Sequence, residues 1–361
     1  MLKFIFKFLN EKLKNHHIFD LFLIGKLNFS MMRCRIYVVV LFFIIFNLIF
    51  IPAQSQIVIS QAANAADMAQ TLAGPGVVVL NAQMGGQCPL TVQNLISGNG
   101  IGAGKFNYNG SASNINIDNG IVLTTGNASA ISNSPSGFYD GYLPNGNTGD
   151  AVLNSYLGNN STRDACVLEF DLVASGSNIS FDYVFASREY PTFNCSQYND
   201  IFAFFISGPG LPTGLNNIAL VPNTNIPVRI NSVNSGVVGS AGGASMSNCT
   251  NMGAGSPFSQ YYVSNNNNQF PNFYYTGFTT VLTAQANVNP CDTYHLRLSI
   301  ADVGDQSYDS GVFLKGGSLI SNGTTIISPV SAPGANEPTI PHCVRGCNSG
   351  KFTFSRPVAS A

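Results

Sequence analysis

Hydrophobic and polar residues alternate with a period of two along much of this chain. In Val167–Leu172, Leu168, Phe170 and Leu172 fall on one face, and Glu169 and Asp171 on the other. Ile179, Phe181, Tyr183 and Phe185 repeat that spacing, and Tyr294, Leu296, Leu298 and Ile300 alternate with His295, Arg297 and Ser299. Successive side chains on a strand point to opposite faces, so each run predicts a strand with one buried face. Ile201–Ile206 (IFAFFI) is apolar on both faces, as in a central strand covered from two sides. Further strands are predicted at 120–126 (GIVLTTG), Asn217–Val221, Ile226–Val233, Gly277–Ala284 and Ser310–Leu319. After residue 56 only 57–74 has helical character, Ala-rich and stopped by Gly74-Pro75-Gly76. Connections rich in Asn, Gly and Ser at 127–160, 208–216, 235–259 and 264–272 predict long surface loops. Together these elements predict an all-β fold: an antiparallel, jelly-roll-like β-sandwich with long Asn/Gly-rich loops and one short N-terminal helix. Loops of this length are uncommon unless they carry function.

Composition narrows the picture. Charged residues make up only 9 % of the chain and hydrophobic ones 45 %. That excludes a coiled coil, a charge-rich disordered chain and a nucleic-acid binder, which needs a basic face. The formal charge of −1 averages two unlike segments. Residues 1–36 carry seven basic residues against two acids, and the remainder nine against fifteen. The basic leader precedes the uncharged run Ile36–Phe50, then Ile51-Pro52-Ala53-Gln54-Ser55, with small residues at Ala53 and Ser55. Residues 1–55 therefore read as a signal-peptide region cut after Ser55, with translation expected to start at Met31 or Met32. The apolar run falls short of the ~20 residues that span a bilayer, so the membrane enters only through the export signal.

Export permits disulfides. Seven cysteines follow the leader; Cys195 and Cys249, both in loop-like sequence, are the expected pair, with the other connectivities open. The domain is expected over 57–322, followed by a Pro-containing linker at 323–341. Residues 342–361 read as the truncated start of a further β domain, because about twenty residues cannot bury a core.

Catalytic chemistry is scarce. Outside the leader and the last segment the only histidine is His295, which shares a polar strand face with Arg297 and Ser299 and lacks a nucleophile elbow. Gly98–Gly104 lacks the GK[ST] ending and the helix of a phosphate loop. The better lead is a set of acids at strand ends: Glu189, Asp200, Asp302, Asp305 and Asp309. They fit three readings: glycosidase acids, with Glu189 and Asp200 as candidates; a Ca²⁺ site built from hard oxygen ligands; or carboxylates capping turns. Loop aromatics (Phe138, Tyr139, Tyr142, Tyr261, Tyr262, Phe270, Phe273, Tyr274, Tyr275) either stack on sugars or cover the sheets, and covering is the default.

Phe185-Ala186-Ser187-Arg188-Glu189-Tyr190-Pro191, followed by Asn199–Gly210 (NDIFAFFISGPG), resembles the core signature of the choice-of-anchor L domain. GIVLTTG at 120–126, DACVLEFDL at 164–172, NIALVP at 217–222, GFTTVLTA at 277–284 and the closing stretch at 293–318 extend the likeness over 60–320. Arg188 departs from the pattern, since the family usually has a second acid there; in a cation site it would reduce charge compensation. The resemblance implies a secreted or surface protein of Bacteroidetes-type bacteria, often multidomain and resembling type IX secretion cargo, with no enzymatic activity attached. Residues 347–357 (CNSGKFTFSRP) resemble the opening of a Calx-beta-like repeat. The expected function is a non-catalytic module for adhesion or extracellular binding within a larger protein. Its partners are an extracellular glycan or protein and the secretion machinery, and Ca²⁺ braces its loops. The rivals are a carbohydrate-active enzyme and a ligand-free spacer.

Overall fold

A computed structural model describes residues 56–323 apart from 86–87, 89, 91–100, 109–112, 133–147, 159, 268 and 271, together with strands at 325–327 and 353–355. The leader, the cut after Ser55, Phe138, Tyr139, Tyr142, most of the linker and the last segment except 353–355 lie outside the described residues. Among the described residues no helix is long and apolar enough to cross a membrane.

Two antiparallel sheets face each other. The larger contains β1 (Val58–Ser60), β3 (Ala103–Asn107), β4 (Asn119–Thr124), β13 (Ser310–Lys315), β6 (Gly176–Ser187), β10 (Gly277–Thr279) and β9 (Tyr262–Ser264) in that order. β11 (Leu282–Asn287) and β14 (Ile320–Gly323) pair with the first half of the long β6. The smaller runs β2 (Val77–Gly85), β5 (Thr162–Ala174), β12 (Thr293–Val303), β7 (Ile201–Ser207), β8 (Asn216–Asn217). Their facing sides form one core. Leu168, Phe170 and Leu172 meet Phe181, Tyr183 and Phe185 there, and the rings of Phe181 and Phe204 stand 3.9 Å apart across the sandwich. The predicted alternation therefore places the right side chains inside.

Helix α1 (Ala65–Leu72) packs Met68, Ala69 and Leu72 into the same core. Asn64 caps it by accepting from the Asp67 N–H at 2.9 Å, and Asp67 accepts in return from the Ala63 N–H at 3.0 Å. Two further short helices lie inside stretches that read as loops. In α2 (Ala151–Tyr156) Asp150 is the cap, accepting from the Leu153 N–H at 2.8 Å, and α3 (Met246–Thr250) begins at Ser245.

Helix α2 explains the doubly apolar IFAFFI strand. β7 is second from the sheet edge rather than central, and α2 covers its outer side, with Tyr156 edge-on to Phe205 at 5.1 Å. The outer side of the larger sheet is covered by Phe106, Phe273, Tyr274, Tyr275, Phe278 and Phe313. Phe273, Tyr274 and Tyr275 therefore cover a sheet and leave no ring free for a sugar.

Three predicted strands need correction. Only Asn216–Asn217 of the 217–221 region pairs, and 226–233 makes isolated bridges (Ile201 with Arg229, Leu220 with Pro227). Pro222 and Pro227 lack an N–H for a ladder, so Val221, Val228, Ile230 and Val233 enter the core from irregular chain. The 277–284 run divides into β10 and β11. Disulfides join Cys195 to Cys249, as expected, and Cys88 to Cys166; Cys291 is exposed and bonded to no other cysteine among the described residues.

Candidate functional site

The two ends of the sandwich differ. At one, connections are short: β5 turns into β6 through Ser175 alone, and β13 reaches β14 through 316–319. The other end receives the β4–β5, β6–β7 and β12–β13 connections. The excursion between β8 and β9 folds back over it, with Asn194 Nδ2 donating to Ser235 Oγ at 2.9 Å and to the Val237 carbonyl at 3.1 Å. Antiparallel pairing brings strand ends together there: Asp302 is opposite Arg163, and Ser310 opposite Ser187.

The predicted acids gather at this end. Glu189 follows β6, Asp200 precedes β7, Asp302 is next to last in β12, Asp305 lies in the β12–β13 turn and Asp309 precedes β13. Asp164, near the start of β5, joins them and was missed. It stood at the head of the DACVLEFDL stretch, three places before the alternating run, and its φ of +47° breaks the strand pattern. Asp164, Glu189, Asp200, Asp302 and Asp309 are each only 1 % exposed, whereas Asp305 is half-buried.

A hydroxyl scaffold surrounds them. Asp200 accepts from the Val303 N–H at 3.0 Å and from Ser310 Oγ at 2.6 Å. Ser310 Oγ also lies 2.9 Å from Ser187 Oγ, which accepts from the Glu189 N–H at 2.9 Å. The Ser310 N–H donates to Thr125 Oγ1 at 2.9 Å, and the Tyr274 hydroxyl to Asp309 Oδ2 at 3.0 Å. Gly126 is small by necessity, because a Cβ there would run into the Asp309 carboxylate. Asp305 accepts from the Ser307 N–H at 2.9 Å, so it caps its own turn, as Asp200 caps the end of β12.

Capping does not account for the rest. Among the described residues Oε2 of Glu189 has no hydrogen-bond partner, and the carboxylate of Asp302 has none of good geometry, with only the Thr125 hydroxyl near enough to act on it. Burial pushes Asp302 well above the ordinary carboxylate range, and the charges of Asp200 and Asp309 push it further, against a weaker downward pull from the Thr125 hydroxyl. Glu189 is raised well above its ordinary value by burial, then by Asp200 and Asp305. Asp200 is pushed up to about 7, by burial first, although its bonds from Ser310 and Val303 pull the other way.

The nearby cations do not balance these acids. Burial lowers Arg229 to about 10 despite the Asp200 charge, and its guanidinium donates through Nε and Nη2 to the Asn199 carbonyl. The Arg188 guanidinium sits 5.1 Å over the Tyr274 ring and donates to the Tyr274 carbonyl at 3.4 Å, with no ion pair to an acid among the described residues. Among the described residues no three His, Cys, Asp or Glu side chains form a ready metal-ligand set. Glu189 and Asp200 are sealed from solvent, so in this conformation neither can touch a polysaccharide. His295, elsewhere, lies on the outer face of the smaller sheet beside Asp171.

The sequence profile of the choice-of-anchor L domain matches residues 61–320. The chain belongs to the choice-of-anchor L domain family. No curated protein and no solved structure matches it. Choice-of-anchor L membership marks a surface or secreted module of a generally non-catalytic family. The matched residues span both sheets and the acid-bearing end together.

Proposed function

We propose that this choice-of-anchor L chain is an exported, non-catalytic adhesion module of a multidomain surface protein. It carries its ligand, an extracellular glycan or protein, on the long Asn/Gly loops at one end of the sandwich. The leader is removed after Ser55 as the chain meets the secretion machinery. Beneath the loops, no more than two of the acids from β5, β6, β7, β12 and β13, with neighbouring hydroxyl and carbonyl oxygens, take a Ca²⁺ that ties the connections to the sheet ends. The observation that carries this reading is Asp302, 1 % exposed amid other buried acids, with no hydrogen bond of good geometry to either carboxylate oxygen among the described residues and only the Thr125 hydroxyl acting on it. A buried carboxylate in that state is costly unless a proton or a cation neutralises it.

The test is thermal unfolding of the purified chain in excess Ca²⁺ and in EDTA. At a hundredfold excess over Kd, a ligand that binds only the folded state adds about 2.7 kcal/mol. On a domain of this size that raises Tm by roughly 5–10 °C. Identical melting in the two conditions removes the cation from the proposal. A glycan array probed in the same two conditions tests the loop ligand, and binding is expected in Ca²⁺ and to weaken in EDTA.

A further inference from the structure

At the loop-bearing end two connections bring half-buried rings together. Phe193 and Tyr198, both between β6 and β7, stand edge-on with ring centroids 5.4 Å apart. Tyr308, in the β12–β13 turn, lies 4.9 Å from Phe193. None of the three belongs to the sandwich core. Glycines let the chain close on them: a Cβ at Gly242 would press on the Tyr198 and Phe193 rings, and one at Gly304 on the opposite edge of Tyr198. The rings rest on a fixed bed, because the 239–245 stretch is bonded to the 192–197 loop. The Gly239 N–H donates to the Asn194 carbonyl at 2.9 Å, the Gln197 N–H to the Gly242 carbonyl at 3.0 Å and the Ser245 N–H to the Cys195 carbonyl at 2.8 Å. The Cys195–Cys249 disulfide joins the same two regions. Rings held in this way lose little freedom when a ligand settles on them.

Charge is missing from these surroundings. Residues 192–199 and 230–291 contain no Lys, Arg, His, Asp or Glu. The polar side chains beside the rings in sequence are amides and hydroxyls, with Thr192, Gln197 and Ser240 exposed and Gln306 half-buried. Asp305, the half-buried acid of the β12–β13 turn, is occupied with the Ser307 N–H. We infer that Phe193, Tyr198 and Tyr308 form the stacking platform of a binding site for a neutral polysaccharide. The inference rests on the loop ligand of the proposed function and names its class. Sugar C–H groups stack on the negative face of an aromatic ring, and sugar hydroxyls bond to neutral amides and hydroxyls. A charged ligand would find no counter-charge there to replace its lost hydration. Val237 and Val238, exposed in the same excursion, mark the rival, a protein partner.

Affinity electrophoresis of the full chain in Ca²⁺, through gels holding neutral β-glucan, xylan or mannan, or anionic alginate, tests this. Expected is retardation by a neutral polysaccharide that persists from about 0.05 to 0.5 M NaCl, since screening has no charge to act on. Tyr308→Ala should weaken it about tenfold, while Tyr308→Phe, which keeps the ring, stays within about twofold. Phe193→Ala repeats the test on the other connection, and a cooperative melt shows that each variant folds. Gln197→Ala, an exposed change that spares the fold, should weaken retardation about three- to tenfold. Unchanged retardation in folded Phe193→Ala and Tyr308→Ala overturns the platform and leaves the loop ligand elsewhere. Retardation by alginate alone, lost in salt, overturns the neutral class. No retardation by any polysaccharide overturns the inference. Binding to immobilised gelatin that Val237→Ser abolishes would then give the loops a protein partner, and its absence would overturn the loop-ligand reading itself.

Discussion

Two groups of acids, on the outer face of β5 and at the loop-bearing end, meet opposite fates. On β5 the ladder puts His295 opposite Asp171 and Arg297 opposite Glu169. His295 Nδ1 lies 2.9 Å from Asp171, whose other oxygen accepts from Asn81 at 2.9 Å. Arg297 pairs with both Glu169 and Asp150. Asp171 is held below its ordinary range by the bond from Asn81 and then by His295. At the loop end the same residue types are raised, because burial removes water and, among the described residues, no cation acts on Asp302 or Glu189, while Arg229 offsets only part of the burial of Asp200. A regular ladder supplies cross-strand partners by register alone. Where strands run out, partners must come from loops, and here the loops bring hydroxyls and more acids.

Arg297 is the change expected to break the contrast most forcefully. It is 15 % exposed and neutralises two acids that are 13 % and 11 % exposed. Arg297→Met would leave Glu169 and Asp150 in the condition of Asp302, and a loss of about 3–5 kcal/mol is expected in chemical unfolding. Adding Glu169→Gln should recover part of that loss. A loss within about 0.5 kcal/mol for the single variant would show that water replaces the guanidinium freely, and the two regions would then differ less than their partners suggest.

Titration sharpens the comparison through its sign. Acids raised in the folded state keep protons that the unfolded chain has already lost. In EDTA their stabilisation is therefore fully present below the unfolded carboxylate range, near pH 4, and is lost as pH rises through the folded values, that of Asp200 being about 7. Each such group gives a slope of up to about 1.4 kcal/mol per pH unit, discounted for mutual coupling. Asp171 runs the other way: its contribution is present above the unfolded range and is lost as pH falls through its lowered value. The chain in EDTA should therefore unfold at lower denaturant near pH 8 than near pH 5, and Asp302→Asn should flatten that slope. A stability that does not fall from pH 5 to pH 8 would overturn the raised values of the buried acids, since the paired face contributes no slope above its unfolded range.

The paired region was the more legible of the two. Alternation on β5 and β12 assigned Glu169, Asp171, His295 and Arg297 to the outward face, and the structure keeps all four there. The loop end was legible in its acids but not in its assembly. Asp164 reaches it through a residue of positive φ, and the β5–β12 register shifts between Ile300 and Asp302, which a period-two pattern cannot carry. The 226–233 run looked like a strand because burial alone, without a ladder, also selects Val228, Ile230 and Val233. Helix α2 did leave a signal, Asp150 as a cap ahead of Val152, Leu153, Tyr156 and Leu157, but six residues of helix inside an Asn-rich stretch are easily read as loop.

His295 is expected to matter least, and its smallness is informative. Its side chain is 43 % exposed, 2.9 Å from Asp171 and 3.9 Å from Glu169. Water competes for both contacts, and an exposed pair of this kind contributes about 0.2–1 kcal/mol. Glutamine can still donate to Asp171, so His295→Gln should cost under about 0.5 kcal/mol. Unfolding of His295→Gln beside Arg297→Met measures how far burial alone sets the value of a partner on one sheet face. A loss for His295→Gln as large as that for Arg297→Met would mean that the row from Asn81 to Asp150 is held as one coupled network. The stability of the outer face would then rest on that coupling and not on the burial of each pair.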